Sequence, residues 1–416
     1  MAMSGRSEVG AVLPIFLGVA LLSCGAVCAL RGHLANHIAR PGLADADHTV
    51  FDVTEYGAKS DGKTDNVQAF MKAWNAACKS GGAARLLIPT GTYMAGQVEF
   101  QGPCQGPMTV EVQGTIKAQT DISQYPSAEW FTFESVNNLE VTGGGTFDGQ
   151  GSAAWKYNNC GSNAYCKLLP TSLKFTKTTN AVVRGITSLN SKSFHFMVHN
   201  CQNFRAEDIH ITAPGDSPNT DGIHVSRSNL VNITNSIIAT GDDCVSIGQG
   251  SIDISITGVT CGPGHGISIG SLGKYKDEED VKGITVKNCT LTKTTNGARI
   301  KTWPGSSPST ASSISFEDIV MDSVKNPIII DQKYWSSSKN SKPSQVKLSD
   351  VKFSNIRGTS VSEVAVSLVC SEAVPCEGVQ LQDIDLSYGG DSAKTSSCEN
   401  VKPTVVGTLN PPACQQ

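Results

Sequence analysis

Four short polar clusters lie close together in the middle of the chain: Asn219-Thr220-Asp221-Gly222, Gly241-Asp242-Asp243-Cys244, Gly264-His265-Gly266 and Arg299-Ile300-Lys301. Three carboxylates, an imidazole and two cations are the groups needed for acid–base cleavage of an acidic substrate. Breaking a glycosidic bond takes a protonated carboxyl at the leaving oxygen and, where configuration inverts, a carboxylate that activates water on the opposite face. Crowded carboxylates resist full ionisation, so one keeps its proton in mild acid. We assign that proton to Asp242 and leave Asp221 and Asp243 to hold the water. His265, set between two glycines, is placed to adjust the acid's protonation and orientation; a loop histidine held by local hydrogen bonds is the plainer alternative. Arg299 and Lys301 are two apart, so on a strand they share one face while Ile300 points inward. Arginine offers a carboxylate a fork and lysine a point charge.

Taken singly, an Asp-Asp or Thr-Asp-Gly fragment is an ordinary turn, and a charged pair two apart is ordinarily solvated. The spacing changes that. Asp221 precedes Asp242 by about 21 residues and Asp242 precedes His265 by about 23, the length of one coil of a solenoid. Residues one period apart then stack, and the clusters meet in one groove. Adjacent side chains on a strand point to opposite faces, so Asp242 and Asp243 both reach the groove only if the backbone bends, which Gly241 eases. Tyr334 follows Lys301 by about 33 residues and is expected to line the same groove.

The elements that must position these clusters are short alternating runs. They begin at Asn138-Leu139, Asn180-Ala181, Asn203-Phe204, Asn229-Leu230, Ser251-Ile252, Asp280-Val281, Ser313-Ile314, Gln345-Val346 and Gly378-Val379, with one longer interval over 150–170. Period-two alternation marks strands, and helical crossovers between them are missing. A leucine-rich repeat would show a Leu ladder and a propeller a period near 40 or more. The expectation is therefore an all-β, single-stranded, right-handed parallel β-helix over 49–416. Asn200, Asn203, Asn229, Asn235 and Asn288 are read as turn residues bonding their own backbone. One amphipathic helix, with Asp65 as its cap and Val67, Phe70, Met71, Trp74, Ala77 and Cys78 on its apolar side, is suited to cover the open N-terminal end.

Residues 11–30 form an almost unbroken apolar run ending in Ala26-Val27-Cys28-Ala29, read as a secretory signal over 1–29 with a processed leader over 30–48. An uncleaved membrane anchor is the alternative. Of 14 cysteines, Cys24 and Cys28 fall in the signal, leaving an even set suited to an oxidising compartment. Close spacing favours Cys160 with Cys166, Cys244 with Cys261, Cys370 with Cys376 and Cys398 with Cys414, and Cys78 with Cys104 is possible; Cys201 and Cys289 either pair or are buried. Asn232 and Asn288 begin glycosylation motifs. A net charge of -4 gives no support to nucleic-acid binding, and leaves room for a polyanionic carbohydrate held by local cations.

The four motifs, in this order, resemble the signature of the polygalacturonases of glycoside hydrolase family 28, over about Phe51 to the C-terminus. The resemblance implies inverting hydrolysis of α-1,4-linked galacturonic acid without metal or cofactor. It makes Asp242 the general acid, Asp221 and Asp243 the water-activating pair and His265 a supporting residue. Arg299, Lys301, Tyr334 and Asn219 become substrate-binding residues. Phe51-Asp52-Val53, the run Ala213 to Pro218, and Gly270 to Tyr275 look like plant, pollen-type exopolygalacturonases, which implies release of single sugars from the non-reducing end of pectin. The chain departs from that subgroup around Trp303-Pro304-Gly305 and in lacking a cysteine after Tyr334. The expected protein is a monomer, secreted to the plant cell wall, with pectin as its partner and neither nucleic acid nor membrane once the signal is removed. Endo action, a decorated galacturonan substrate and a catalytically silent pectin-binding β-helix are the alternatives; a pectate lyase would need calcium and a strong base.

Overall fold

The computed structural model describes residues 48–160, 162–163, 165–166, 168–336, 341–388, 391–392 and 395–414. The expected signal and, apart from His48, the leader lie outside these residues. From Thr49 onward the chain winds into coils whose strands pair in parallel with the coils before and after, the all-β parallel β-helix expected from the alternation. One face is an eleven-stranded sheet. Its strands are β1 (Val98–Gln101), β2 (Glu129–Glu134), β3 (Thr171–Thr176), β4 (Phe196–His199), β5 (Ile223–Ser226) and β6 (Val245–Ile247), then β7 (Ile267–Leu272), β8 (Asn296–Thr302), β9 (Asn326–Asp331), β10 (Val364–Val369) and β11 (Thr395–Glu399). The remaining faces form a second sheet of two strand columns, which merge in the long strands Ser309–Val324, Val346–Ser360 and Glu377–Tyr388.

Register fixes what faces inward. Ile223, Val245, Ile267, Ala298 and Ile328 align from β5 to β9, as do Val225, Ile247, Ile269, Ile300 and Ile330, and all are buried. Each large aliphatic in these stacks contributes about 1.5–3 kcal/mol, and a slip of one residue would turn every one of them to water. The residues between them therefore point away from the core, on the outward side of the sheet.

Helix α1 (Val67–Cys78) covers the N-terminal end as expected, stacking Trp74 on Phe100 at 4.5 Å and burying Phe70. Its buried side uses Ala69 and Ala73, while Met71 is only partly buried. The N-cap position is Asn66 and not Asp65. Asp65 still accepts from the Val67 amide at 2.8 Å, because the Asn66 side chain is spent on Lys59 and Met94. Among the turn asparagines, Asn200, Asn203, Asn235 and Asn288 are left-handed, but Asn229 is not; Leu230 takes that conformation. Asn203 and Asn180 bond across coils, to Asn180 and Asn138 respectively, forming a ladder instead of local turns. All five spacing-favoured or possible disulfides form, and Cys201 and Cys289 are free and buried.

Candidate active site

The polar clusters sit where the chain enters successive strands of the eleven-stranded sheet. Asp221 precedes β5, Asp242 and Asp243 precede β6, His265 precedes β7, and Arg299 and Lys301 lie within β8. Gly241, just ahead of the two aspartates, lets the coils stack closely, since a Cβ there would lie 2.0 Å from the Ser217 carbonyl oxygen of the coil before. At Gly266 (φ +88°), a Cβ would strike the Asn296 carbonyl oxygen. Coils this closely stacked bring the six charged or titratable groups of the motifs together.

The three carboxyls have different partners. Asp242 is the most open, its side chain 21% exposed, and its Oδ1 lies 2.9 Å from His265 Nδ1 while also accepting from the Asp243 amide. Asp243 is 1% exposed. Its Oδ1 accepts from Arg299 Nη2 at 2.5 Å and Ser268 Oγ at 2.8 Å, and its Oδ2 accepts from Lys301 Nζ at 2.7 Å. Asp221 is buried too, yet its Oδ2 accepts only a neutral donor, Ser246 Oγ at 2.8 Å.

Electrostatics follow from these partners. Burial raises the Asp221 carboxyl well above the usual range, with Asp242 and then Asp243 adding to it. Burial also opposes charge on Asp243, but Arg299 and Lys301 outweigh it and hold the carboxyl well below that range. The hydrogen bond to Asp242 raises His265 against the opposing effect of its burial. Of the two buried carboxyls, Asp221 is thus the one that favours holding a proton, and Asp243 stays ionised.

Arg299 and Lys301 share a face as expected, with Ile300 fully buried behind them. Both are nearly buried and point at Asp243. Lys301 Nζ also lies 5.2 Å from the centre of the Tyr334 ring, so Tyr334 joins the cluster, and Trp303 meets it edge-on at 5.6 Å. Asn219 is partly buried in the left-handed conformation beside Asp221. Sequence reasoning missed Ser246, Ser268 and His224. Their signal is the same coil period: His224, Ser246 and Ser268 are spaced by about 22 residues. Asp242, Asp243 and His265 place ligand-type atoms within 4.8 Å of one another. A cation there would have to displace Arg299 and Lys301 from Asp243 and break the Asp242–His265 bond, so this donor set fits protein cations better than a metal.

One face of the parallel β-helix thus gathers a carboxylate held by two cations, a buried carboxyl with only a neutral donor, and a partly exposed third carboxyl paired with an imidazole. The chain belongs to glycosyl hydrolases family 28, whose family model matches residues 78–410. It is 50% identical over 367 residues to a polygalacturonase of Gossypium barbadense, covering 88% of this chain and 90% of that one. It is equally similar to an exopolygalacturonase of Platanus acerifolia, covering 87% and 97%. Among solved structures, the endo-xylogalacturonan hydrolase from Aspergillus tubingensis superposes with a TM-score of 0.75 at 25% identity, over 86% of this chain and 99% of that one.

Proposed function

We propose that this chain is a secreted polygalacturonase that hydrolyses α-1,4-galacturonosyl bonds with inversion, acting from the non-reducing end to release galacturonic acid. The observation that carries the chemistry is the unequal treatment of the three aspartates. Asp242, the one carboxyl open to the groove, donates its proton to the leaving oxygen. A protonated His265 then stabilises the carboxylate left on Asp242. Asp221 and Asp243 hold the attacking water, with Asp243 supplying fixed negative charge and Asp221, in its ionised form, taking the proton.

Inversion is favoured by the partners of Asp243. A covalent glycosyl intermediate would need a free carboxylate oxygen, and both of its oxygens accept from Arg299, Ser268 or Lys301 in a nearly solvent-free position. Water is the better nucleophile. Lys301, with donors beyond the one spent on Asp243, together with Arg299, Tyr334 and Asn219, binds the acidic sugar. Secretion after removal of a signal over 1–29 and a leader over 30–48, leaving 49–416 as the pectin-hydrolase domain, is supported by the five disulfides. Exo action is supported by the exopolygalacturonase among the relatives at 50% identity.

The test is a product time course on polygalacturonic acid, with Asp242→Asn beside the native protein and the first-formed anomer followed by NMR. Galacturonic acid alone from the earliest times, with inverted configuration and a variant slowed roughly 100-fold or more, is the expected result. A ladder of oligomers would replace exo by endo action, retained configuration would remove the water mechanism, and an unimpaired variant would remove Asp242 as the acid.

A further inference from the structure

We propose that His224 is a positioning residue for this hydrolysis, acting through Ser246 to hold Asp221 ready to accept a proton from water; the proposal rests on the function inferred above. The register of the sheet places His224 (β5), Ser246 (β6), Ser268 (β7) and Arg299 (β8) in one row across the groove floor. Each serine donates to the aspartate that precedes the strand before its own: Ser246 Oγ to Asp221 Oδ2 and Ser268 Oγ to Asp243 Oδ1, both at 2.8 Å. Each is flanked in the row by a nitrogen group: His224 Nδ1 lies 2.8 Å from Ser246 Oγ, and Arg299 Nε donates to Ser268 Oγ at 2.8 Å.

A hydroxyl has one proton. With Ser246's proton spent on Asp221, its oxygen accepts, so this network fixes His224 as the Nδ1–H tautomer. The two relays have the same geometry and opposite electrostatics, for one ends on a guanidinium and the other on an imidazole. Burial lowers the pKa of that imidazole to about 4, so it stays neutral in mild acid. The ring is held in place: Phe194 packs on it with centroids 5.2 Å apart, and a Cβ added at Gly248 would come within 3.3 Å of its Cε1. The charged or titratable groups facing His224 are His199, Lys301 and Asp243, and those facing Asp221 are Asp242, Asp243 and Lys301. None of them takes the Ser246 hydroxyl in the observed network. His224 alone keeps that hydroxyl turned towards Asp221.

Without the imidazole donor the Ser246 hydroxyl can turn away, and the hydrogen bond that counters the rise in Asp221 is lost. The proton-accepting form of Asp221 then appears only at higher pH. The test compares His224→Phe, Ser246→Ala, their combination and His224→Asn by initial rates on polygalacturonic acid across pH. The expected result is a kcat lower by roughly tenfold in each single variant, as for one lost hydrogen bond to a charged group. KM should stay within about twofold, with the acid limb of the profile displaced upward. The double variant should lose no more than either single one, and His224→Asn, which keeps a donor near the Nδ1 position, should recover most of the rate and the native limb. Additive losses, a raised KM with an unmoved acid limb, or full activity of His224→Phe would overturn the proposal. Absence of galacturonic acid from the native protein in the same assay would instead overturn the function on which it rests.

Discussion

Replacing Lys301 with methionine tests whether the cations of β8 act first on the protein's own carboxylate. Methionine keeps most of the buried stem and removes the charge. Asp243 is 1% exposed, so it cannot recover solvation for what it loses; Oδ2 would be left without its Nζ donor at 2.7 Å. Breaking a buried ion pair by removing one partner costs about 3–5 kcal/mol. Arg299 and Ser268 still hold Oδ1, which puts the expected loss at the lower end, about 3 kcal/mol. The assay is equilibrium urea unfolding, with Lys333→Met as control. Lys333 pairs with Glu399, but these side chains are 58% and 49% exposed, so removing this pair should cost at most about 1 kcal/mol.

A third variant adds Asp243→Asn to Lys301→Met and should recover part of the loss, because the uncompensated charge is gone. The pH dependence has a definite sign. Asp243 is depressed in the fold, so its stabilisation is present above the ordinary aspartate range and is lost as pH falls through the folded value. With less positive charge nearby, the carboxyl of the variant takes up a proton sooner on acidification, and the stability gap to the native protein should narrow. A loss no larger than that of Lys333→Met, with KM alone raised, would refute the internal role and return Lys301 to substrate recognition only.

The pH profile of kcat/KM should be bell-shaped, with both limbs displaced upward. Activity falls in acid as the raised Asp221 is protonated and falls in base as the raised His265 loses its proton; His265→Asn should displace the alkaline limb, and limbs in the ordinary aspartate and histidine ranges would contradict these environments. Removing the buried Cys244–Cys261 bond by a double Ala substitution should cost about 3 kcal/mol for a loop closed over 17 residues, read by urea unfolding; a change below about 1 kcal/mol would show that β6 and the coil after it are held by packing alone.

The coil architecture and the gathering of Asp221, Asp242, Asp243, His265, Arg299, Lys301 and Tyr334 were legible because a solenoid turns sequence period directly into spatial stacking. What those groups touch was less legible. Arg299 and Lys301 were expected to face a substrate carboxylate, but the nearest carboxylate is Asp243, two strands away in the same groove, and no motif says which partner wins. Ser246 and Ser268 look like any small polar residue on the outer face of a strand until register aligns them with His224 and Arg299. The same blindness to register explains why Leu230, not Asn229, takes the left-handed corner: its column position matches Asn203 and Asp253, which share that conformation. Local propensity ranks the residue types, and stacking decides the position.

The charge balance of the groove carries a last consequence. If all three aspartates were ionised and His265 neutral, Arg299 and Lys301 would not offset them and an acidic polymer would be repelled. Burial favours the protonated form of Asp221 and the bond to Asp242 favours a protonated His265, so as pH falls the cations at the site come to equal or exceed the anions. Binding of a polyanion should therefore weaken as pH rises through the raised values of these two groups, quite apart from any change in kcat. KM for fully acidic polygalacturonate should climb with pH over that range, while KM for a methyl-esterified oligomer, having little charge to repel, should stay within about twofold. Raising the salt concentration should flatten the first curve and leave the second, since screening acts on charge alone. Parallel rises for the two substrates would mean that pH changes the shape of the groove, not its charge.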